Sequence, residues 1–270
     1  SWWVHLQTIN KAIEMEGCKP DIEINFELAK RFDPDFRWDS INDLFDDIVR
    51  QSGLSFEQLQ EQGWAFPPEG HSSAPYHRYQ RGLLRKDGKP GFQTPSGKVE
   101  LYATLREDWE LEPLADYEEP PFTPVSQPEL LKEYPLILST GRRSAVYFHA
   151  EHRNIPWLRE LDPDPLVEIH PDTAKSLDVG AGEWVWIENW LGRCKFRAKV
   201  TLEVPPWMVM AAHGWWFPEE PAAEPSLFGV WKSNINQLIP MGYQGKDGLG
   251  APIKHMLCKV YKVGGGGEAQ

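Results

Sequence analysis

PLVEIHPDTAKSLDVGAGEWVWIENWLGRCKFRAKVTLEV, residues 165–204, decides how the rest of the chain is read. It gives a strand, a short helix, a turn and then two strands joined at the segment NWLGR. Pro171 sits near the helix start, where its missing N–H costs little, because the first helical N–H groups have no intrahelical partner anyway.

The same style extends outward on both sides. Before it, YPLILST (134–140) is an apolar strand. After it, WMVMAAHGWW (207–216) is a strand running into a loop, and HMLCKVYKV (255–263) is a last strand. The spacing predicts about six or seven short strands with one or two helices, which suits a closed barrel better than an alternating βαβ sheet.

Upstream the period changes to that of helices. Trp2, Leu6, Ile9 and Ile13 recur at helical spacing and Gly17 ends the pattern. Ile22, Phe26, Ala29 and Phe32 mark a second helix with Asp21 as its cap. A third has the face Ile41, Leu44, Phe45, Ile48 and Val49, capped by Asp39 or Ser40. SFEQLQEQG (55–63) opens with a capping box from Ser55 to Gln58 and stops at Gly63. FQTPSGKVELYATL (92–105) reads as a turn at Ser96-Gly97 and an alternating strand through Val99 and Leu101. Residues 110–135, rich in Glu and Pro, read as extended connecting chain. The domain reading is a helical segment and strand over 1–110, a linker over 111–133, a barrel over 134–263 and a flexible tail over 264–270.

The net charge is −12. That argues against nucleic acid as a general partner, because phosphate binding needs a basic footprint. It leaves room for one local anion site. Cys18, Cys194 and Cys258 have no metal or cluster spacing and read as buried thiols. No apolar run approaches the ~20 residues of a membrane helix, no signal-peptide pattern opens the chain, and its start reads as a cut end.

Three stretches carry candidate chemistry. STGRRSAVYFHAEHRN (139–154) ends a strand in Gly141 and then clusters Arg142, Arg143, His149, His152 and Arg153. Glycine lets backbone N–H groups approach an anion, and arginine grips phosphate with a fork. The competing reading is a solvated charged loop. His149 and His152 lack a third metal ligand, so hydrogen-bonded histidines are favoured over a metal site. HGWWFPEEPAAEPSLFGVWKSNINQL (213–238) combines Trp215, Trp216 and Trp231 with Asn234 and Asn236. Carboxamides match a purine or pterin edge and tryptophan supplies a wall. A packed interdomain loop explains the same residues. Lys254 is a lone candidate cation. No GxSxG, Walker A or GxGxxG segment occurs, and no carboxylate pair stands out for a hydrolase.

At these residues the chain resembles the C-terminal part of the molybdopterin oxidoreductases of the dimethyl sulfoxide reductase type. The segments that carry the resemblance are FQTPSGKVELYATLRED (92–108), YPLILSTGRRSAVYFHAEHRNIPWL (134–158) and residues 165–201, in that order. His170-Pro171, Leu177-Asp178-Val179 and Gly182-Glu183 stand where Asn-Pro, Leu-Gly-Ile and Asp-Gly-Asp are usual. The likeness covers about residues 90–263, and 1–64 fits as part of a preceding domain. The tryptophan-rich form, with GVWKSNINQL (229–238), is similar to the branch holding thiosulfate and polysulfide reductases, acetylene hydratase and catechol dehydroxylases.

The resemblance implies an α+β chain whose helical N-terminal segment precedes a six-stranded double-psi β-barrel. It implies binding of molybdopterin guanine dinucleotide, usually one of two that clasp molybdenum or tungsten. Carried over position by position, the binding residues are Thr140, Gly141, Arg142, His149, His213, Asn234, Asn236 and Lys254. No catalytic residue, metal ligand or iron–sulfur cysteine is assigned here. The expected partners are upstream domains of the same polypeptide and an iron–sulfur electron-transfer subunit. A rival reading is a non-catalytic interaction domain that keeps the barrel without its cofactor.

Overall fold

The computed structural model describes residues 6–65, 76–114, 116–245, 250 and 254–264. Its chain divides into two compact units, residues 1–101 and 102–270. In the first unit, β1 (Leu6–Gln7) pairs antiparallel with β2 (Trp64–Ala65), Leu6 opposite Ala65. Between them lie α1 (Asp21–Phe32), α2 (Ile41–Val49) and α3 (Phe56–Gln62). Both capping boxes form: Ser40 with Asp43, and Ser55 with Gln58. Each serine hydroxyl accepts an otherwise orphaned helix N–H. Val49, Leu59 and Ala65 make a small core under these elements.

Four expectations for this unit are corrected. Residues 6–17 are not helical: a two-residue strand opens them and a turn at Glu16-Gly17 closes them. Ile9 is fully exposed and Ile13 largely so. A helical stripe with no core to face gains nothing from its period. Trp2 and the tail residues 265–270 lie outside the described residues. The second helix is capped by Pro20 without a side-chain bond, and Asp21 sits in the first turn, where its charge favours the helix dipole. The turn at Ser96-Gly97 forms, with Gly97 at φ 70°, but no strand comes after it. Val99 and Leu101 are exposed and meet no partner edge, and a lone strand leaves its backbone groups unpaired. Cys18 is exposed, while Cys194 and Cys258 are buried.

The second unit opens with α4 (Thr104–Glu107) and α5 (Pro128–Glu133). Its centre is a closed barrel of β3 (Leu136–Arg142), β4 (Leu166–Ile169), β5 (Trp184–Asn189), β6 (Gly192–Val200), β7 (Met208–Ala212) and β8 (Met256–Lys262). Around the barrel the order is β3-β7-β4-β6-β5-β8. β3 with β7 and β4 with β6 are parallel, and the other four pairs are antiparallel. This is the double-psi arrangement. Short helices α6 (Pro156–Leu161) and α7 (Pro171–Ser176) lie in the connections, each with proline at its start.

β5 and β6 alternate buried and partly buried residues along their lengths, as a strand with one face on a core must. Val167, Ile169, Val185, Ile187, Phe196 and Val209 fill the interior with no exposed surface. Each contributes about 1.5–3 kcal/mol by leaving water.

The registers also set the geometry of one end. β3 and β7 finish at the end where β4, β6 and β8 begin and where the β5–β6 hairpin turns. The 213–238 loop therefore leaves β7 at the same mouth that receives Gly141. Asn189, buried in that hairpin, donates from Nδ2 to the Leu238 carbonyl at 2.8 Å and accepts from Leu191 N–H at 2.9 Å. Asn189→Ala strands both groups and is expected to cost about 1–3 kcal/mol. Amide exchange in β5 and β6 of the variant against wild type checks it, and no change would mean that the loop end is not fixed there.

Candidate functional site

The site begins with an irregularity in β3. Ser139 pairs with Met210, but Arg142 pairs with Ala212, so β3 carries one extra residue across Thr140-Gly141. A bulge of this kind bends the strand and re-aims the side chains beyond it. Gly141 is needed there for space rather than for φ. A Cβ on it would stand 3.1 Å from Lys254 Nζ and 3.2 Å from Ser139 Oγ. Lys254, a lone cation in the sequence, is thus seated beside the bulge. Thr140 is buried in the strand end.

Next to the bulge is a cavity of about 130 Å³, walled by Arg142, Arg143, Tyr147, His149, Arg153 and His213 among others. That is small against the ~300–1,000 Å³ of clefts that hold whole small-molecule ligands. It suits one anionic group, not an entire dinucleotide. Arg142 is nearly buried, with Nη1 3.5 Å from Asp162 and Nε 3.4 Å from Glu168. These are charge contacts without hydrogen-bond geometry, since Arg142 Nε and Nη1 have no hydrogen-bond partner. Glu168 also takes a bond from Lys199 Nζ at 3.0 Å, so Arg142 shares its carboxylate. Arg143 is exposed, with no ion-pair or hydrogen-bond partner among the described residues.

His149 and His213 meet through Nδ1 and Nε2 at 3.1 Å. Burial pushes the His213 pKa down, and the charges of His149, Arg143 and Arg153 push it the same way. Arg153 Nε, His213 Nδ1 and Trp215 Nε1 join the two Arg142 nitrogens as buried, unpartnered atoms on residues of this cavity. Four of these five atoms are obligate donors, and His213 Nδ1 becomes one when it carries the ring proton. A pocket with donors in excess of acceptors fits a phosphate-type anion.

The asparagines are held at the β6 side of the same mouth. Asn234 is half-buried. Its Oδ1 accepts from Asn236 N–H at 3.1 Å and its carbonyl accepts from the Cys194 thiol at 3.2 Å. Burial pushes that thiol up to about 12, so it stays protonated and donates. Ser233 Oγ donates to the Lys195 carbonyl at 2.7 Å. Part of the carboxamide chemistry is therefore spent on the loop's own backbone, and Asn236 keeps its side chain exposed. Trp215 is fully buried, Trp216 donates from Nε1 to the Ala150 carbonyl at 2.6 Å, and Trp231 is exposed. The tryptophan-rich loop is thus one packed wall, one tether and one free face.

His152 approaches Glu151 at 3.9 Å, and no group of three or more metal-ligating side chains occurs among the described residues. Arg153 stood in the charged cluster of the sequence, but nothing marked its contacts with a loop 60 residues away.

A double-psi barrel with a bulged strand end and a cation-lined mouth is the class that fold and site define. Residues 136–247 match the family described as molydopterin dinucleotide binding domain. The chain is 36% identical to the dopamine dehydroxylase of Eggerthella lenta over 231 residues, 76% of this chain and 22% of that protein. It is 29% identical to a dimethyl sulfoxide reductase of Escherichia coli over 268 residues, 91% of this chain and 31% of that protein. The solved structure of acetylene hydratase from Pelobacter acetylenicus superposes with a TM-score of 0.78 at 31% identity, over 96% of this chain and 35% of that one. The chain belongs to the dimethyl sulfoxide reductase family of molybdopterin enzymes, and its barrel is the molybdopterin dinucleotide-binding domain. It spans roughly a fifth to a third of the length of these relatives. No helix among the described residues is long and apolar enough to cross a membrane.

Proposed function

We propose that the barrel binds the nucleotide end of molybdopterin guanine dinucleotide, one of a pair that holds molybdenum or tungsten in a larger oxidoreductase. The observation that carries this reading is the donor-rich cavity beside the Gly141 bulge. Thr140, Gly141, Arg142 and Lys254 would hold the diphosphate, with His149 and His213 on the cavity wall. Asn236, positioned by Asn234, offers a carboxamide to a guanine or pterin edge. The cofactor supplies redox chemistry at its metal when bound. This chain's residues bind and orient its far end and contribute no catalytic group. Upstream domains of the same polypeptide complete the enclosure, and an iron–sulfur subunit exchanges electrons with the whole.

The test is metal and pterin content of the full-length parent. Metal is read by mass spectrometry and pterin by fluorescence after oxidation. Molybdenum or tungsten with a pair of pterins is expected, and Arg142→Ala and Asn236→Ala are each expected to lower both. Full loading in both variants would sink the site assignment. Absence of metal and pterin, from a host that makes the cofactor, would sink the cofactor reading.

A further inference from the structure

Two loops that leave different barrel strands are locked together at the cavity. His149 and His152 hold left-handed backbone at φ 49° and 72°, a region that non-glycine residues rarely occupy. Strain of this kind persists only where the surroundings over-determine it. The surroundings here include the Trp216 tether to the Ala150 carbonyl and one side chain that reaches both loops. Arg153 is 3% exposed and lies against an edge-to-face ring pair, 4.8 Å from the Tyr147 centroid and 4.7 Å from that of Trp215. Its Nη1 donates to the His149 carbonyl at 2.8 Å, and its Nη2 donates to the His213 carbonyl at 3.2 Å. Those carbonyls belong to the two residues whose imidazoles meet at 3.1 Å.

We infer that Arg153 is a positioning residue: its guanidinium fork fixes the backbone of His149 and His213 together and so holds their rings as one hydrogen-bonded pair. As a role in ligand binding this rests on the function proposed above; the pairing itself does not. The choice of arginine comes from the geometry. A planar fork donates to two carbonyls while its cation lies against two rings set nearly perpendicular to each other, and a lysine ammonium on a flexible stem cannot do both. Arg159, on the Trp215 ring at 5.1 Å and bonded to Glu219 at 2.9 Å, backs the same stack.

The pair has a chemical consequence. Two imidazoles at this distance share one hydrogen-bonding proton, so that one ring nitrogen donates and the other accepts. The charged groups acting on His213 are His149, Arg143 and Arg153, and all three lower its pKa. No carboxylate is among them. Burial and these neighbouring cations hold His213 below the ordinary imidazole range.

The experiment is a pH titration of 15N-histidine resonances in the 270-residue chain, with His213→Gln used for assignment. In wild type, a coupling across the His149–His213 hydrogen bond is expected, with a His213 midpoint below that of an exposed imidazole. Arg153→Lys keeps the charge and removes the fork. It is expected to abolish the coupling and move the His213 midpoint up, as Arg153→Met does. Retained coupling and midpoint in folded Arg153→Lys would overturn the inference. Should that variant not fold, wild type still decides. Slow exchange of the Arg153 guanidinium protons, with cross-relaxation to residues 149 and 213, supports the clasp, and fast rotation and exchange overturn it. Addition of guanosine diphosphate separates the two ideas. Coupling that is lost in Arg153→Lys, in a chain whose histidine signals ignore the nucleotide, upholds the positioning role and overturns the binding reading.

Discussion

Gly141→Val is expected to cut guanine nucleotide affinity at least about tenfold, roughly 1.4 kcal/mol, while leaving the barrel folded. The cause is steric. Even a single Cβ at 141 would press on Lys254 Nζ at 3.1 Å and Ser139 Oγ at 3.2 Å. The branched valine adds two methyl groups in the same place. Lys254 is exposed, so its ammonium can swing away at little cost in stability. The backbone of Gly141 is not in the left-handed region, so valine brings no conformational penalty at a position already in a strand. Fold and site should thus separate in this variant.

The measurement is calorimetric titration of wild type and variant with guanosine diphosphate at fixed ionic strength, with amide exchange in the barrel strands taken alongside. Equal affinities would remove Gly141 and Lys254 from the site. A large fall in barrel-strand protection would mean that the bulge serves the barrel more than the ligand. Lys254→Met provides a control, because it removes the same cation without adding bulk at the bulge. It should reproduce part of the loss and make affinity less sensitive to salt.

The barrel was legible in the sequence because each strand writes its own period. Residues 165–204 alone contain three of the six strands and one connecting helix in the order the structure shows. The N-terminal misreadings have one cause. Ile9 and Ile13, and likewise Val99 and Leu101, are exposed apolar positions whose period is not matched by a partner surface in their own unit, and periodicity reports structure only through burial. The site divides along the same line. Gly141 after an apolar strand was readable from adjacent residues. The His149–His213 contact, the Asp162 and Glu168 carboxylates around Arg142, and the reach of Arg153 to the His213 carbonyl join residues between 20 and 64 positions apart, counting for example 149 to 213. Loop sequence has no period to announce such meetings. The tryptophans show the ambiguity most sharply: the same stretch holds a buried Trp215 and an exposed Trp231, and their letters are identical.

Phe196→Ala should destabilise the barrel by about 3–5 kcal/mol, the range for removing a large buried aromatic. Phe196 has no exposed surface and sits in the continuous core with Val185, Ile187, Ala198 and Val209. Its neighbours are strand residues fixed by hydrogen-bonded pairing on both sides of β6, with Val185 directly opposite. A closed barrel cannot shear inward to refill the hole, so little of the cavity term is recovered. Phe196→Leu, closer in volume, should cost under about 1.5 kcal/mol if the site repacks as volume-conserving changes do. Because the chain has two units, a single unfolding midpoint is ambiguous. Amide exchange in β5 and β6 reads the barrel alone. A loss of protection below about 1 kcal/mol in the alanine variant, well under the usual cost of such a cavity, would mean that the core is loose around β6. The same change reaches the mouth: Cys194 and Lys195, the residues just before Phe196, bond the Asn234 carbonyl and Ser233. Loosening β6 should therefore weaken nucleotide binding even though Phe196 is wholly interior, and the leucine variant should restore both properties together.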